Sequence, residues 1–190
     1  MKFPRDRSRP PSRATGATVW LTGLPSAGKS SIAVQLATRL RAEARRTEVL
    51  DGEEIRAFLA AGLGFSPEDR DTRVRRIGMV AEVLARNGVL VLVPVIAPYR
   101  STREAVRLRH DLGRIPYIEI HVATPVETCA LRDVKGLYAG QAAGEISHLT
   151  GVDDPYEVPD RPDLRLETAD RTVAESADAV YGLLAERGLL

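Results

Sequence analysis

Residues 17–31 read ATVWLTGLPSAGKSS, and no other stretch limits the possible folds as much. A short apolar run with β-branched and aromatic side chains meets Gly23, and from Lys29 the apolar residues recur at helical spacing through Arg46. Strand, glycine loop and helix therefore follow one another without a break. Gly23, Gly28, Lys29 and Ser30 fall on G-x-x-x-x-G-K-[ST], between a strand and a helix as a phosphate-binding loop requires. The glycines let backbone amides turn inward around phosphate oxygens, and the helix N-terminus adds its partial positive charge. Lys29 is placed to bridge β- and γ-phosphates, and Ser30 to ligate Mg²⁺.

The rest of the chain alternates in the same way. EVLDG ends a second strand at Asp51, and EEIRAFLAAGLG reads as a short helix stopped by Gly62 and Gly64. Ser66 is an N-cap, Pro67 opens the first turn and Gly88 follows the end of a long helix. Val74, Ile77, Ala81 and Leu84 share one side of it, leaving Arg70, Arg73 and Arg76 on a basic stripe. VLVLVPVIAPYR has the continuous apolar character of a strand buried on both faces, and Pro94, which cannot donate to a ladder, ends regular pairing there. A helix over 101–113, a strand over 116–124, a proline-opened helix over 125–133, a fifth strand over 164–168 and a closing helix complete the pattern. The architecture expected is an α/β, three-layer sandwich of the P-loop NTPase type, with a mainly parallel five-stranded sheet. About thirty residues from Asp133 break the rhythm with glycine, proline and charge, and a segment that long is read as a functional lid over about 133–150.

Composition excludes more than it selects. Within 190 residues, 27 Lys+Arg oppose 26 Asp+Glu, so a net charge of +1 gives no global attraction to nucleic acid or to an anionic membrane. One cysteine, Cys129, rules out an intramolecular disulfide framework and reads as packing; no apolar run approaches a membrane span. A cytoplasmic protein is expected. Residues 1–16, with four arginines, Lys2 and several Pro and Ser, lack the apolar centre of a signal peptide and read as a disordered tail ahead of one domain over 17–190. His110, His121 and His148 show no metal-ligand spacing.

Asp51 stands where an open α/β sheet presents its ligand groups, able to hold Mg²⁺ water or orient an acceptor hydroxyl as well as to cap a helix. Arg56, Arg70 and Arg73 are candidate anion contacts, since a guanidinium fork suits phosphate or sulfate oxygens. Phe65, after two glycines, either stacks on a base or anchors its loop.

Eight stretches, GLPSAGKSS, LDGEEIR, LGFSPEDR, RRIG, IAPYR, RDVKGLY, GEI and LTGVDDPYE, together resemble the adenylyl-sulfate kinase family in order and spacing over about residues 17–188. The resemblance implies an enzyme that moves the γ-phosphoryl of ATP to the 3′-hydroxyl of adenosine 5′-phosphosulfate (APS), with ATP as co-substrate and Mg²⁺ as cofactor. It implies that Gly23, Leu24, Pro25, Ser26, Ala27, Gly28, Lys29, Ser30 and Ser31 bind ATP, with Arg132 by its adenine and Lys135 meeting the phosphates from the lid. Arg56, Phe65, Arg70, Arg73, the backbone near Ile96 and Ala97, and Leu149 fall to the acceptor, and Asp51 becomes the catalytic carboxylate. The family's habit implies a homodimer and admits a sulfurylase as partner.

Four departures from the family's usual pattern refine this. Glu53 and Glu54 replace the commonest aspartate and asparagine. Ala97 stands where many members carry serine, so no phosphoserine can form there and transfer is direct and in line. Arg73 replaces asparagine, and Leu149 replaces a second aromatic against the acceptor base, which is expected to hold that base less tightly. Two other readings compete: a P-loop kinase of another nucleotide or small metabolite, and a nucleotide-binding module without turnover, against which Lys135 and Asp51 both speak. A GTPase would need an N-K-x-D guanine motif, which the sequence lacks.

Overall fold

A computed structural model describes residues 15–51, 58–59, 61–64 and 66–190. In chain order its elements are β1 (Ala17–Thr22), α1 (Lys29–Ala42), β2 (Thr47–Val49), α2 (Pro67–Arg86), β3 (Leu90–Pro94), α3 (Arg100–Leu112), β4 (Tyr117–Val122), α4 (Val126–Arg132), α5 (Leu137–Ala142), β5 (Leu164–Leu166) and α6 (Val173–Glu186). The strands form one sheet in the order β2-β3-β1-β4-β5, and every pairing is parallel. The most central strand is β1, with β3 and β4 on its two sides; Trp20 pairs with Val93 in one register and with Glu119 in the other. The chain thus crosses from one half of the sheet to the other around β1, and the cleft outside the carboxyl ends of these strands is where such a fold takes a ligand.

Alternation along β1 builds the two faces. Ala17, Val19 and Leu21 point into a core shared with Ile32, Leu36 and Leu40 of α1 and Val180 and Leu184 of α6. Trp20 points the other way, into a core with Val74, Ile77 and Ala81 of α2 and Val106 of α3. Gly78 permits this second layer to close, because a Cβ there would sit 2.7 Å from Val106. His110 is fully buried in this layer, bonded to Thr18 Oγ1 at 2.9 Å and to the Val106 carbonyl at 2.8 Å, with its pKa lowered chiefly by burial. Cys129 is buried in the first core, as expected of a packing residue.

Ser66 caps α2 as its sequence requires, its hydroxyl accepting from the Asp69 amide at 3.1 Å. Three boundaries differ from those read in the sequence. Helix α1 stops at Ala42 rather than Arg46, because no apolar residue after Leu40 holds the last turn to the sheet and Ala44 takes a φ of 58°. Strand β2 ends at Val49; one further ladder bond, from the Leu50 amide to the Leu92 carbonyl at 2.8 Å, places Asp51 just beyond the sheet. The segment after Asp133 is partly ordered: it contains α5, and Tyr138 and Leu149 are buried in the larger core. Too short for a visible period, α5 is fixed by tertiary contacts. Half of the helix read over 53–64 and all but the last two residues of the tail over 1–16 lie outside the described residues.

Candidate active site

The loop from Gly23 to Gly28 leaves β1 and feeds α1, and its shape is set by contacts that the motif alone does not name. Gly28 (φ 99°) caps α1 without any side-chain oxygen, so the amides of the first helical turn face the loop. A Cβ at Gly23 would lie 2.5 Å from the Val122 carbonyl at the end of β4, which makes glycine obligatory there. The Ala27 carbonyl accepts from Thr124 Oγ1 at 2.9 Å, from Thr168 Oγ1 at 3.3 Å and from an Arg132 NH at 3.5 Å. Three donors from the ends of β4, β5 and α4 turn that carbonyl away from the cleft. The Tyr138 hydroxyl donates to the Pro25 carbonyl at 3.1 Å, tying α5 to the loop; burial pushes its pKa up. Lys29 is 7% exposed, and its ammonium donates to the carbonyls of Gly23 at 2.9 Å and Leu24 at 2.6 Å.

A cavity of about 760 Å³ opens over this loop. It is lined by Pro25 through Ile32, by Asp51 and Ile96, and by Arg132 and Lys135, so residues distant in sequence converge on one space. Exposed Ser30 and half-buried Asp51 share it. The Arg132 guanidinium is held at the rim by the Thr168 carbonyl at 2.6 Å and Oγ1 at 3.3 Å. Asp133 accepts from the amides of Tyr138 and Ala139 at 3.1 and 2.9 Å, which hold its carboxyl below the usual range and start α5 where Lys135 can overhang the loop.

The remaining predicted residues stand outside the lining. Arg70, on α2, donates to the His148 carbonyl and to Thr150 Oγ1, both at 2.6 Å, and pairs with Asp154 at 2.7 Å; it ties the helix to residues 148–154. Arg73 donates to the Gly64 carbonyl at 3.0 Å and Arg76 to the Leu59 carbonyl at 3.0 Å, so the basic stripe of α2 anchors the loop that precedes it. Leu149 is 6% exposed and packs in the core, and Ala97 is buried with φ 44°. Arg56 and Phe65, like Glu53 and Glu54, lie outside the described residues.

Sequence reasoning passed over Thr168, Arg171, Thr172, Val173 and Ser176, which line the same cavity from the end of β5 and the start of α6. Thr168 could have been found by the rule that found Asp51, since both follow a strand's carboxyl end. Among the described residues no cluster of three or more His, Cys, Asp or Glu could hold a metal.

A parallel sheet with a phosphate loop after its central strand, and a cavity lined by Lys29, Ser30, Asp51 and Lys135, defines a nucleotide-dependent phosphotransferase of the P-loop class. Comparison narrows the class. The profile of the Adenylylsulphate kinase family matches residues 15–167. An adenylyl-sulfate kinase from Synechococcus sp. (strain JA-2-3B'a(2-13)) is 49% identical over 91% of this chain and 97% of its own, and one from Myxococcus xanthus is 47% identical over 94% and 96%. The structure of the Mycobacterium tuberculosis APS kinase in complex with AMPPNP and APS superposes with a TM-score of 0.86 at 46% identity, over 90% of this chain and 98% of that one. The chain belongs to the adenylyl-sulfate kinase family.

Proposed function

We propose that the chain transfers the γ-phosphoryl of ATP to the 3′-hydroxyl of adenosine 5′-phosphosulfate, giving 3′-phosphoadenosine 5′-phosphosulfate and ADP. The observation that carries this reading is the one cavity shared by Pro25 to Ser31 of the loop, Asp51, Ile96 and Lys135, in a member of a family one of whose solved relatives is complexed with AMPPNP and APS. Phosphoryl transfer asks a protein mainly for alignment and charge neutralisation. The loop amides and Lys29 supply the charge for the triphosphate, and Lys29 exchanges its loop carbonyls for phosphate oxygens when ATP enters. Arg132 packs by the adenine and Lys135 reaches the phosphates from the lid side, whose closure excludes water.

Mg²⁺ suits the donors available. This cation is commonly bound by one or two oxygen side chains plus substrate phosphates and water rather than by a protein cage. Ser30 and Asp51, a hydroxyl and a carboxylate lining one cavity, are such a set: they would hold the ion, which would supply charge neutralisation to the phosphates. Asp51 also orients the acceptor hydroxyl. Arg56, Phe65, Arg70, Arg73, the Ile96–Ala97 backbone and Leu149 form the acceptor side. With alanine at position 97 no hydroxyl is available there to carry the phosphoryl group, so transfer is direct.

The protein works as a homodimer in the cytoplasm. No helix among the described residues is long and apolar enough to cross a membrane, and self-association is known of a solved relative: a hexameric APS kinase from Thiobacillus denitrificans is 33% identical, with a TM-score of 0.71, this chain matching 35% of that longer one. Incubation with [γ-³²P]ATP, Mg²⁺ and a panel of acceptors tests the activity: label should pass to the ribose of APS, and indifference to APS with transfer to another nucleotide overturns the reading. Light scattering on the eluted protein tests the dimer.

A further inference from the structure

The turn Ile96–Ala97–Pro98 has no free carbonyl. Thr22 Oγ1 donates to the Ile96 carbonyl at 2.5 Å, and the Arg103 guanidinium donates to those of Ala97 at 2.7 Å and Pro98 at 3.2 Å. The Glu157 amide adds a second bond to the Pro98 carbonyl at 2.9 Å. Arg103 lies on the first turn of α3, only 3% exposed, and its other terminal nitrogen donates to the Glu157 carbonyl at 2.7 Å. Its Nε pairs with buried Glu119 of β4 at 3.2 Å, and Glu119 is itself paired with Arg107 at 3.2 Å. Tyr156, next to Glu157, completes the ring through its hydroxyl on Thr22 Oγ1 at 3.0 Å.

One buried guanidinium therefore joins the turn that lines the cavity to the chain just beyond the lid segment, with β4 as its base. Two physical consequences follow. Ala97 sits at φ 44°, a conformation that alanine adopts only when its surroundings enforce it, and the bond from Arg103 to its own carbonyl is the enforcing contact. Each of the carbonyls of 96, 97 and 98 is engaged by a donor of the protein, which orients the turn and offsets part of the negative charge it would present to an anionic ligand beside it. A carbonyl left facing a phosphosulfate would repel it; Thr22 holds that of Ile96, and Arg103 holds those of Ala97 and Pro98.

We infer that Arg103 is a positioning residue for the acceptor: with Thr22 it fixes the Ile96–Pro98 turn in the one shape that admits an anionic nucleotide, and it couples that shape to the segment 156–157. The inference rests on the reading of this side of the cavity as the APS site. It makes a separable claim, because Arg103 touches neither the phosphate loop nor any residue that holds it.

The test is a split between the two Michaelis constants. Lysine keeps the charge against Glu119 but has one compact head in place of a fork, and it cannot serve the carbonyls of 97, 98 and 157 together. In Arg103→Lys the KM for APS should rise about tenfold, the size of effect that losing one or two hydrogen bonds to a charged group produces, while the KM for ATP and the calorimetric affinity for ADP stay within about twofold. Thr22→Val, which keeps the side-chain shape and removes only the hydroxyl, should give the same split at about threefold, and it decides the matter should Arg103→Lys fail to fold. Parallel rises in both constants, or an unchanged APS constant in folded variants, overturn the proposal. If the unaltered chain passes no phosphoryl group to APS, the functional reading falls and this inference with it; transfer by the unaltered chain without the split removes the inference alone.

Discussion

At Ala27 the carbonyl oxygen, not the methyl group, matters: Thr124, Thr168 and Arg132 all converge on it, and the amides on the other side of the peptide chain are thereby left for phosphate. Lys29 works within that frame. Lys29→Ala should lower kcat by at least about a hundredfold, the loss seen when a preorganised group facing developing charge is removed, and Asp51→Asn should cut turnover while leaving ATP affinity within about twofold; steady-state rates with calorimetry check both, and an unchanged rate in either refutes its role. His121 makes a different prediction. It is 5% exposed on β4, stacked on Tyr156 with ring centroids 6.0 Å apart, and burial, then Arg165 and Arg103, lower its pKa to about 4 from 6.5. The unfolded chain takes up this proton near pH 6.5 and the folded one only near pH 4, so the unfolded state binds more protons between those values. Stability from this group is thus complete above pH 6.5 and falls as pH drops toward 4, by up to about 3 kcal/mol. His121→Phe should flatten that part of the stability–pH curve measured by urea unfolding, and parallel curves for the two proteins would show that the ring does not titrate as described.

Among the elements, α2 carries the most load beyond its own packing. Its apolar side closes on α3 across Gly78, and its arginines reach out to two loops, Arg73 and Arg76 to residues 59–64 and Arg70 to 148–154. In sequence those arginines look like a solvated stripe or an anion site; the partners that half-bury them lie up to 84 positions away (154 − 70), which no local pattern reveals. Arg70→Ala should quicken hydrogen exchange at the Gly151 and Asp154 amides by about tenfold or more, since a half-buried ion pair and two hydrogen bonds are lost together. Amides in α1 should exchange at an unaltered rate, and equal change in both regions would mean global destabilisation instead of local release of residues 148–154. Helix α5 was likewise hidden: six residues cannot show an amphipathic period, and the bond from Tyr138 to the loop's Pro25 carbonyl is what places it.

For the whole molecule, the parts that must meet around ATP come from the ends of β1, β2, β3 and β5 and from α1, α4, α5 and α6, so nucleotide binding should register as global stabilisation. ADP at a hundred times its dissociation constant should add about 2.7 kcal/mol to the unfolding free energy, with the melting temperature rising in step; no shift would mean that the cavity does not take the nucleotide. The phosphate loop, the alternation of strand and helix, the cap of α2 and the two faces of β1 were all decided by the sequence, because each depends on residues within a few positions of one another, where dihedral preference, capping and periodicity act. The family resemblance in the eight motifs likewise needs only order and spacing. Strand order, the ordering of residues 137–142, the commitment of Arg70 to residues 148–154, and the grip of Thr22 and Arg103 on the Ile96–Pro98 turn were decided by tertiary structure alone. Each joins groups separated by long stretches of chain, and their energies exist only once burial has removed the water that would otherwise satisfy them.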